Sequence, residues 1–562
     1  MKNVDNLFSE KMTHESAEKH VTGDAKYTDD INEPSDTLHA AIGWSTISKG
    51  RIVSLDLRDV VKSDGVVGII TEKDIPGIND VGPVLKGDYI FTSKKIEYFG
   101  QPIFAVAAKT TELARKAVLK AKINYKKEKP ILNIKDALEN KSYILKTKNL
   151  VTGKPQQAIK NSEHVLKGEF ECGGQDHFYL EGQIALTIPK EDDNFKIYSS
   201  TQHPSETQQI VAKVLKQDFN TIDVHVRRIG GGFGGKETQS FIFAAITTLL
   251  SKKLKKPIKL KIDRDEDMIM TGKRHDFYYK YVVGFTDKGK VNGIDLIIAS
   301  RCGYSADLSE AVNNRAIYTI DNAYYLPNIK IISYRCKTNT VSNTAFRGFG
   351  APQGAFCIEY IMETISNYLK IDPMYVRKIN LYKKNNLTHY GMKITDDNIT
   401  NIFDKLLISS NYLKRREMIN EFNNSNKFIK KGISITPVKF GISFTTTHLN
   451  QGGALLHIYT DGTIHLNHGG IEMGQGLMTK ILQITANSFG VDSNQIKITS
   501  TNTEKVPNTS ASAASASTDL NGAAVLDAIN KIKKNLSIFI YKNFKYKGKK
   551  IKYKENNIYF GK

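Results

Sequence analysis

Apolar residues along this chain fall mostly into short runs. VVGIIT (66–71) and PIFAVAA (102–108) have the length of buried strands. TTELARKAVLKAKINY (110–125) changes period. Leu113, Ala117 and Ala121 recur at i, i+4, which predicts one clear helix. Together these runs predict a compact α/β unit with an N-terminal arm over residues 1–145. The polar stretch KNLVTGKPQQAIKNSEH (148–164) reads as a connection. Strands and helices then alternate. VHVRRI (224–229) is a strand candidate, GGGFGG follows it, and a helix is expected over 237–253. AFRGFGAPQG (345–354) opens a long helical segment that ends near Lys384. Residues 396–430 are rich in Asn and Lys and read as a surface excursion. From 431 onward the pattern turns β-rich again, in KFGISFTT and ALLHIYTDGTIHLNHGG. Helices follow at 476–489 and in AAVLDAINKIKKNL. No repeat recurs at a fixed period. The fold class predicted is mixed α+β, with units over 1–145, 146–390 and 391–562.

Composition refines this picture. A chain of 562 residues is too long for one hydrophobic core, and 40% hydrophobic content suits a globular protein. The net charge of +22 raises the question of nucleic acid, but most lysines are scattered. The densest run is Lys542, Lys545, Lys547, Lys549, Lys550, Lys552 and Lys554, interleaved with Tyr541, Tyr546 and Tyr553, and reads as a solvated face or hairpin. No nucleic-acid partner is expected. Cys172, Cys302, Cys336 and Cys357 form no C-x-x-C pair, so the chain has no zinc-finger or iron–sulfur spacing of its own. The N-terminus MKNVDNLFSEK lacks the apolar core of a signal peptide, and FIFAAITTLL falls short of a membrane span. A cytoplasmic protein without membrane contact is expected.

Three Gly-rich segments, 230–235, 347–354 and 469–476, carry the candidate chemistry. Glycine lets backbone approach a ligand closely and aim N–H groups at it. Three such segments with polar neighbours suggest a large polar ligand wrapped by backbone. Two decoys need weighing. GGGFGGKE matches the opening of a phosphate-binding loop, but Glu237 stands where that loop needs a Ser or Thr hydroxyl on magnesium. His465 and His468 lie near Glu472, yet strand residues three apart face opposite sides, so joint metal ligation is not expected. By composition, the small-residue run NTSASAASAS (508–517) is equally a flexible linker or a close-packed turn.

The segments GGQDHFYLEG (173–182), STQHP (200–204), GGGFGGKE (230–237), SNTAFRGFGAPQG (342–354), GISFT (441–445), HGGIEMGQG (468–476) and VPNTSASAASAS (506–517) follow one order along the chain. In that order the chain resembles the xanthine dehydrogenase and aldehyde oxidase family of molybdenum hydroxylases over essentially its whole length. The resemblance implies an α/β hammerhead domain up to about residue 135, then two molybdopterin-binding domains, the second incomplete. It implies a pterin-bound molybdenum carrying oxo, sulfido and hydroxide ligands, held by hydrogen bonds and packing. Carried over by position, Gln202 should hydrogen-bond a molybdenum oxygen ligand. The backbone of Phe233 and Gly234 should reach the same centre, and Arg347 should support it. Ala514, with Ala513, should face the metal ligands, which makes the 508–517 run a close-packed turn. Gln475, within Gly474–Gly476, should lie along the pterin.

The same comparison places Glu237 and Arg315 where purine-oxidising members contact substrate. A carboxyl group hydrogen-bonds ring nitrogens, and an arginine stabilises charge building on the ring. Phe349 and Phe444 match two aromatics that sandwich a flat ring, and Thr445 can hydrogen-bond it. The set favours hypoxanthine or xanthine over an aldehyde. An aldehyde oxidoreductase of the same family, or an inactive scaffold or basic binding protein, are the alternatives. The family's proton-abstracting glutamate lies in a G-E-P type motif that does not occur here. Asp519, Asp527 and Glu555 are no substitutes, so the base is expected beyond Lys562 and the chain alone should be inactive. IKYKENNIYFGK reads as the middle of a hairpin. A split gene, a fragment or a decaying gene would each account for it. Iron–sulfur clusters of the [2Fe–2S] type and FAD are expected on partner subunits of a hetero-oligomer.

Overall fold

The computed structural model describes residues 12–441, 444, 447–513, 516–546, 548 and 550–561. The first unit contains β1 (Leu38–Trp44), β2 (Val66–Thr71) and β3 (Pro102–Ala108), then helix α1 (Thr111–Val118). The Thr110 hydroxyl caps α1 by accepting the Leu113 N–H. The helix stops short of Ala121 because Lys122–Lys127 is a strand. β3 is buried along its whole length because both faces are covered: Ala105 and Ala107 lie in one core cluster with Phe241, and Phe104 and Val106 in another with Ala117.

The second unit runs through β4 (Tyr143–Thr152), β5 (His164–Cys172), β6 (Ile184–Pro189), β7 (Phe195–Ser199), α2 (Pro204–Leu215), β8 (Ile222–Val226) and α3 (Phe241–Leu254). It continues through β9 (Ile258–Lys261), β10 (Phe277–Phe285), β11 (Val291–Gly303), α4 (Ser309–Tyr318), β12 (Ile329–Lys337), α5 (Ala351–Leu369) and α6 (Pro373–Asn380). Three expectations are corrected. The polar stretch 148–164 is no connection but the end of β4, the short helix Pro155–Lys160 and the start of β5. α3 begins at Phe241 rather than Glu237, because the Gly-rich loop occupies the residues before it. The long helix expected to reach Lys384 breaks at Lys370, at φ +56°, and restarts at Pro373, whose ring cannot sit inside a continuous helix.

The third unit contains α7 (Asn398–Ser409), α8 (Tyr412–Ser425), β13 (Ala454–Ile458), β14 (Ile464–His468), α9 (Leu477–Phe489), β15 (Ile496–Ile498), β16 (Thr501–Asn502), α10 (Ala516–Asn543), β17 (Ile551–Lys554) and β18 (Asn557–Phe560). The strand expected over 439–446 is absent from its described residues. β17 and β18 form a hairpin through Glu555 and Asn556 in left-handed backbone. Asn556 docks it by donating its N–H to the Gly490 carbonyl at 2.9 Å.

Among the described residues, one sheet carries strands from all three units, in the order β16-β8-β7-β6-β9-β1-β3-β2. β1 pairs in parallel with β9, and β16 pairs antiparallel with β8. A shared core forms beneath it. Leu38, Ala40 and Ile42 of β1 pack with Phe241, Ile246 and Leu249 of α3 and Ile258 of β9. A second sheet, β4-β12-β11-β10-β5, is backed by α5 through Ile358, Ile361 and Ile365. The small sheet β13-β14-β15 packs on α9 and α10. The loops leaving β7, β8 and β14 therefore converge where the second and third units meet.

Candidate cofactor and substrate site

Gln202 sits just after β7 at the centre of this convergence and is buried. Its Oε1 accepts the N–H groups of Gly234 (2.9 Å) and Lys236 (3.3 Å). Its Nε2 donates to the Ser512 carbonyl at 3.0 Å, and its own carbonyl accepts the Ser512 N–H at 2.9 Å. One Nε2 hydrogen remains for a further acceptor. A Cβ at Gly232 would lie 2.5 Å from Gln202 Oε1. A Cβ at Gly234, where φ is +102°, would lie 2.7 Å from the Ala345 carbonyl. Only glycine lets the loop close on Gln202 and on the second Gly-rich turn together.

The second turn meets the first through backbone. Arg347 donates its N–H to the Phe233 carbonyl at 2.8 Å, and Arg274 Nη2 donates to the Arg347 carbonyl at 2.9 Å. Phe233, at φ +52°, leaves 43% of itself exposed. The 508–513 stretch is held at both sides, as a turn and not a linker. Thr509 donates its N–H to Ser205 Oγ at 3.0 Å, and Ser512 Oγ accepts the Ile471 N–H at 2.7 Å. Ala513 follows, half-buried; Ala514 lies outside the described residues.

Gln475 uses its amide within its own loop, accepting from Met473 N–H (2.7 Å) and donating to the Ile471 carbonyl (3.0 Å). The organiser of that loop is Glu472, which the sequence reading weighed only as a metal ligand. Its buried carboxylate accepts N–H groups of Gly474 (2.9 Å), Gly476 (2.9 Å) and Met478 (3.0 Å), capping α9. Its carbonyl accepts the Ile229 N–H at 2.9 Å, tying the third Gly-rich loop to the first. Glu181, also unpredicted, accepts the Gly230 N–H at 2.8 Å and the Thr28 N–H at 2.9 Å, fastening the N-terminal arm to the loop. For Glu472 the local sign was Gly474 and Gly476 close behind it; for Glu181, whose donors Gly230 and Thr28 lie far away in sequence, there was none.

Both decoys fall. Lys236 is fully buried and donates to the Glu181 carbonyl at 2.6 Å, beneath the Tyr179 ring, so it cannot serve phosphate. Burial pushes its pKa down to about 8. His468 is enclosed, pushed down to about 4 by burial, while His465 faces Thr499 at 3.3 Å.

Glu237 is buried beside the first loop, with its N–H on the Gly234 carbonyl at 3.2 Å. Burial raises its pKa to about 7; Glu206 and Asp307 add to this, and His203 opposes it. His203 bridges the two units, with Nδ1 2.8 Å from Glu206 and Nε2 2.9 Å from the Thr509 carbonyl. Despite burial, Glu206 holds its pKa above the ordinary histidine value. Arg315, on α4, donates to the Gly441 carbonyl at 3.1 Å and lies 5.2 Å from the Phe440 ring centre. Its Nε is enclosed without a partner. Among the described residues no ion pair joins Glu237 to Arg315. Phe349 is half-buried at φ +51°. Phe444 exchanges two backbone hydrogen bonds with the Asn450 side chain, at 2.9 and 2.8 Å. Thr445 lies outside the described residues. A cavity of about 610 Å³ opens beside Gly230, Gly231, Met473 and Gly474, with Leu180, 94% exposed, on its rim. The N–H groups of Gly230, Gly234, Gly474 and Gly476 are spent on Glu181, Gln202 and Glu472, so what the loops offer a ligand is close backbone approach at Gly230, Gly231 and Gly474 along the cavity and, apart from it, the second amide hydrogen of Gln202.

Family models bear on what that ligand is. Residues 22–129 match the "Aldehyde oxidase and xanthine dehydrogenase, a/b hammerhead domain", and residues 137–381 and 405–561 each match a "Molybdopterin cofactor-binding domain". Xanthine dehydrogenase of Dictyostelium discoideum is 42% identical over 93% of this chain and 38% of its own length. The xanthine dehydrogenase/oxidase of Gallus gallus is 41% identical over 96% of this chain and 40% of its own. The chain belongs to the xanthine dehydrogenase and aldehyde oxidase family. It spans about two-fifths of the length of these relatives. Its fold is a hammerhead domain followed by two molybdopterin-binding domains. Solved structures agree on the fold: quinoline 2-oxidoreductase from Pseudomonas putida 86 has a TM-score of 0.84 at 20% identity, covering 98% of this chain and 73% of that one. The aldehyde oxidoreductase of Desulfovibrio gigas has a TM-score of 0.80 at 20% identity, over 94% of this chain and 60% of that one. Among the described residues, no helix is long and apolar enough to cross a membrane.

Proposed function

We propose that this chain is the molybdenum-cofactor portion of a hydroxylase that oxidises purines, hypoxanthine to xanthine and xanthine to urate. The observation that carries the reading is the pair Glu237 and Arg315. Among the described residues neither makes an ion pair: Glu237 is buried behind the first Gly-rich loop, with His203 the charge that opposes its neutral form, and Arg315 lies on α4 against Phe440 and Gly441. When bound, the sulfido-bearing molybdenum cofactor supplies oxygen insertion at an electron-poor ring carbon and takes up the electrons. This chain's residues do the rest of what it contributes. Gln202 offers its remaining amide hydrogen to an oxygen of the centre, with the backbone of Phe233, Gly234 and Ala513 beside it. Arg347 fixes the Phe233 carbonyl, and the Gly474–Gly476 loop borders the pterin. Glu237, an acid that keeps its proton up to about pH 7, donates a hydrogen bond to a ring nitrogen or carbonyl. Arg315 stabilises negative charge developing on the ring. Phe349 and Phe444 supply apolar faces for a flat ring, and Thr445 a hydroxyl.

Proton abstraction is assigned to a glutamate of the G-E-P type, which residues 1–562 do not contain. The 562-residue chain by itself should therefore not turn over. Clusters of the [2Fe–2S] type and FAD are placed on partner subunits, in the reducing cytoplasm that four free cysteines suit. The test is purine-dependent dye reduction by the enzyme assembled with its partners. Glu237→Ala and Arg315→Met should each lower kcat/KM for xanthine by about a hundredfold or more and leave aldehyde oxidation within a few-fold. A loaded wild-type enzyme that oxidises aldehydes but no purine would overturn the reading.

A further inference from the structure

Away from the cofactor loops, β8 carries two side chains on its outer face that the cradle does not use. The strand's inward positions, Ile222, Val224 and Val226, are buried, and the alternation puts Asp223 and His225 together on the other side. β16 pairs with β8 in the register His225↔Asn502, and the chain leaving β16 brings Glu504 alongside. One ligand atom from each of Asp223, His225 and Glu504 lies within 4.8 Å of the other two. Asp223 Oδ2 takes a hydrogen bond with His225 Nε2, while its Oδ1 is enclosed with no donor. A carboxylate oxygen in that state is unfavourable. A cation is at hand and does not relieve it. Lys196 stands opposite Asp223 on β7, yet its ammonium lies over the Tyr198 ring, 4.9 Å from the centroid.

We propose that Asp223, His225 and Glu504 form a site for one divalent zinc ion. One imidazole nitrogen and two carboxylate oxygens would hold it, with a remaining position for water. The imidazole favours zinc over magnesium or calcium, which take oxygen ligands. The site joins two units, because Asp223 and His225 lie in the 137–381 match and Glu504 in the 405–561 match. Glu504 also opens the segment that runs to Thr509 and Ser512 against Gln202. A bound ion therefore clasps the two cofactor domains beside the entry to that turn. Zinc takes an unprotonated imidazole nitrogen, so an ion bound at Nε2 would displace the hydrogen now shared with Asp223.

The test is zinc titration of the chelator-stripped protein by calorimetry, with metal analysis after dialysis. One equivalent is expected. Glu504→Gln and His225→Ala should each weaken binding by about tenfold or more, and magnesium should give no signal. Cys172→Ser removes the one cysteine that is not buried and should leave the titration unchanged. A cobalt-substituted sample should lack a thiolate charge-transfer band. Glu504 is exposed and His225 partly buried, so the thermal midpoint of each metal-free variant is measured first, and an unchanged midpoint confirms its fold. Zinc uptake that Cys172→Ser abolishes, or that Glu504→Gln and His225→Ala leave at the wild-type level, overturns the proposal. So does the absence of bound zinc.

Discussion

Gly234→Ala should cost about 2–5 kcal/mol of stability and strip the protein of cofactor. Two penalties combine. Alanine at φ +102° enters backbone that L side chains rarely adopt, at about 1–2 kcal/mol. Its Cβ would also lie 2.7 Å from the Ala345 carbonyl. Relieving that contact means moving backbone of the second Gly-rich turn, and overpacking of this kind costs about 1–3 kcal/mol. The displacement would reach the Gly234 N–H on Gln202 and the Phe233 carbonyl on Arg347, so the cradle loosens at two points. Urea denaturation and pterin content measure the two consequences. Gly432→Ala is the control, since nothing lies within 4 Å of its Cβ, and it should change stability by less than about 0.5 kcal/mol. Equal effects from the two substitutions would remove the basis for the close approach described here.

The second large effect is a pH dependence opposite to that of most carboxylates. Glu237 has a folded pKa of about 7, raised by burial from an ordinary 4.5. Between those values the folded state holds a proton that the unfolded state has released. Stability from this group is therefore complete below about pH 4.5 and is lost as pH rises through 7. The gap corresponds to roughly 3 kcal/mol. Asp307, and Asp88, whose Oδ2 is likewise enclosed, are pushed up by burial and add to the slope in the same direction. Glu237→Gln keeps the shape and removes the titration. The variant should match wild type near pH 4.5 and exceed it by up to about 3 kcal/mol at pH 8. Denaturant midpoints across pH 4.5–8 read this directly, and parallel curves for the two proteins would contradict the neutral acid assigned to Glu237.

Much of the site was legible in the sequence because glycine has so few reasons to cluster. Gly232 and Gly234 have no room for a Cβ, and such positions advertise themselves as glycine in any chain that must close a loop this tightly. α1 was legible through Leu113 and Ala117, though its end was not, since nothing local marks where Lys122 turns to strand. The mixed sheet was not legible. β16 is two residues long, and its pairing with β8 joins positions hundreds of residues apart that no local pattern connects. The break after α5 was hidden by Lys370, an unremarkable residue in left-handed backbone; Pro373 was the available sign. The sequence reading rejected a metal role for Glu472 but offered no other, because the donors it serves are backbone N–H groups, which a sequence does not display. Arg315 lies 5.2 Å from the Phe440 ring centre and donates to the Gly441 carbonyl, neighbours more than a hundred residues away that no local pattern indicates.

The central claim is that Gln202 and the three Gly-rich loops cradle a molybdenum cofactor. It is tested most directly by molybdenum and pterin content per chain. The protein would be assembled with its partners in a host that makes the cofactor, and wild type compared with Gln202→Ala. About one equivalent of each is expected in wild type. Gln202→Ala leaves the Gly234 and Lys236 N–H groups and the Ser512 carbonyl without their partner, and should retain a tenth or less while its hammerhead domain stays folded. A folded wild-type protein containing neither molybdenum nor pterin, or a Gln202→Ala variant that keeps a full equivalent, would contradict it.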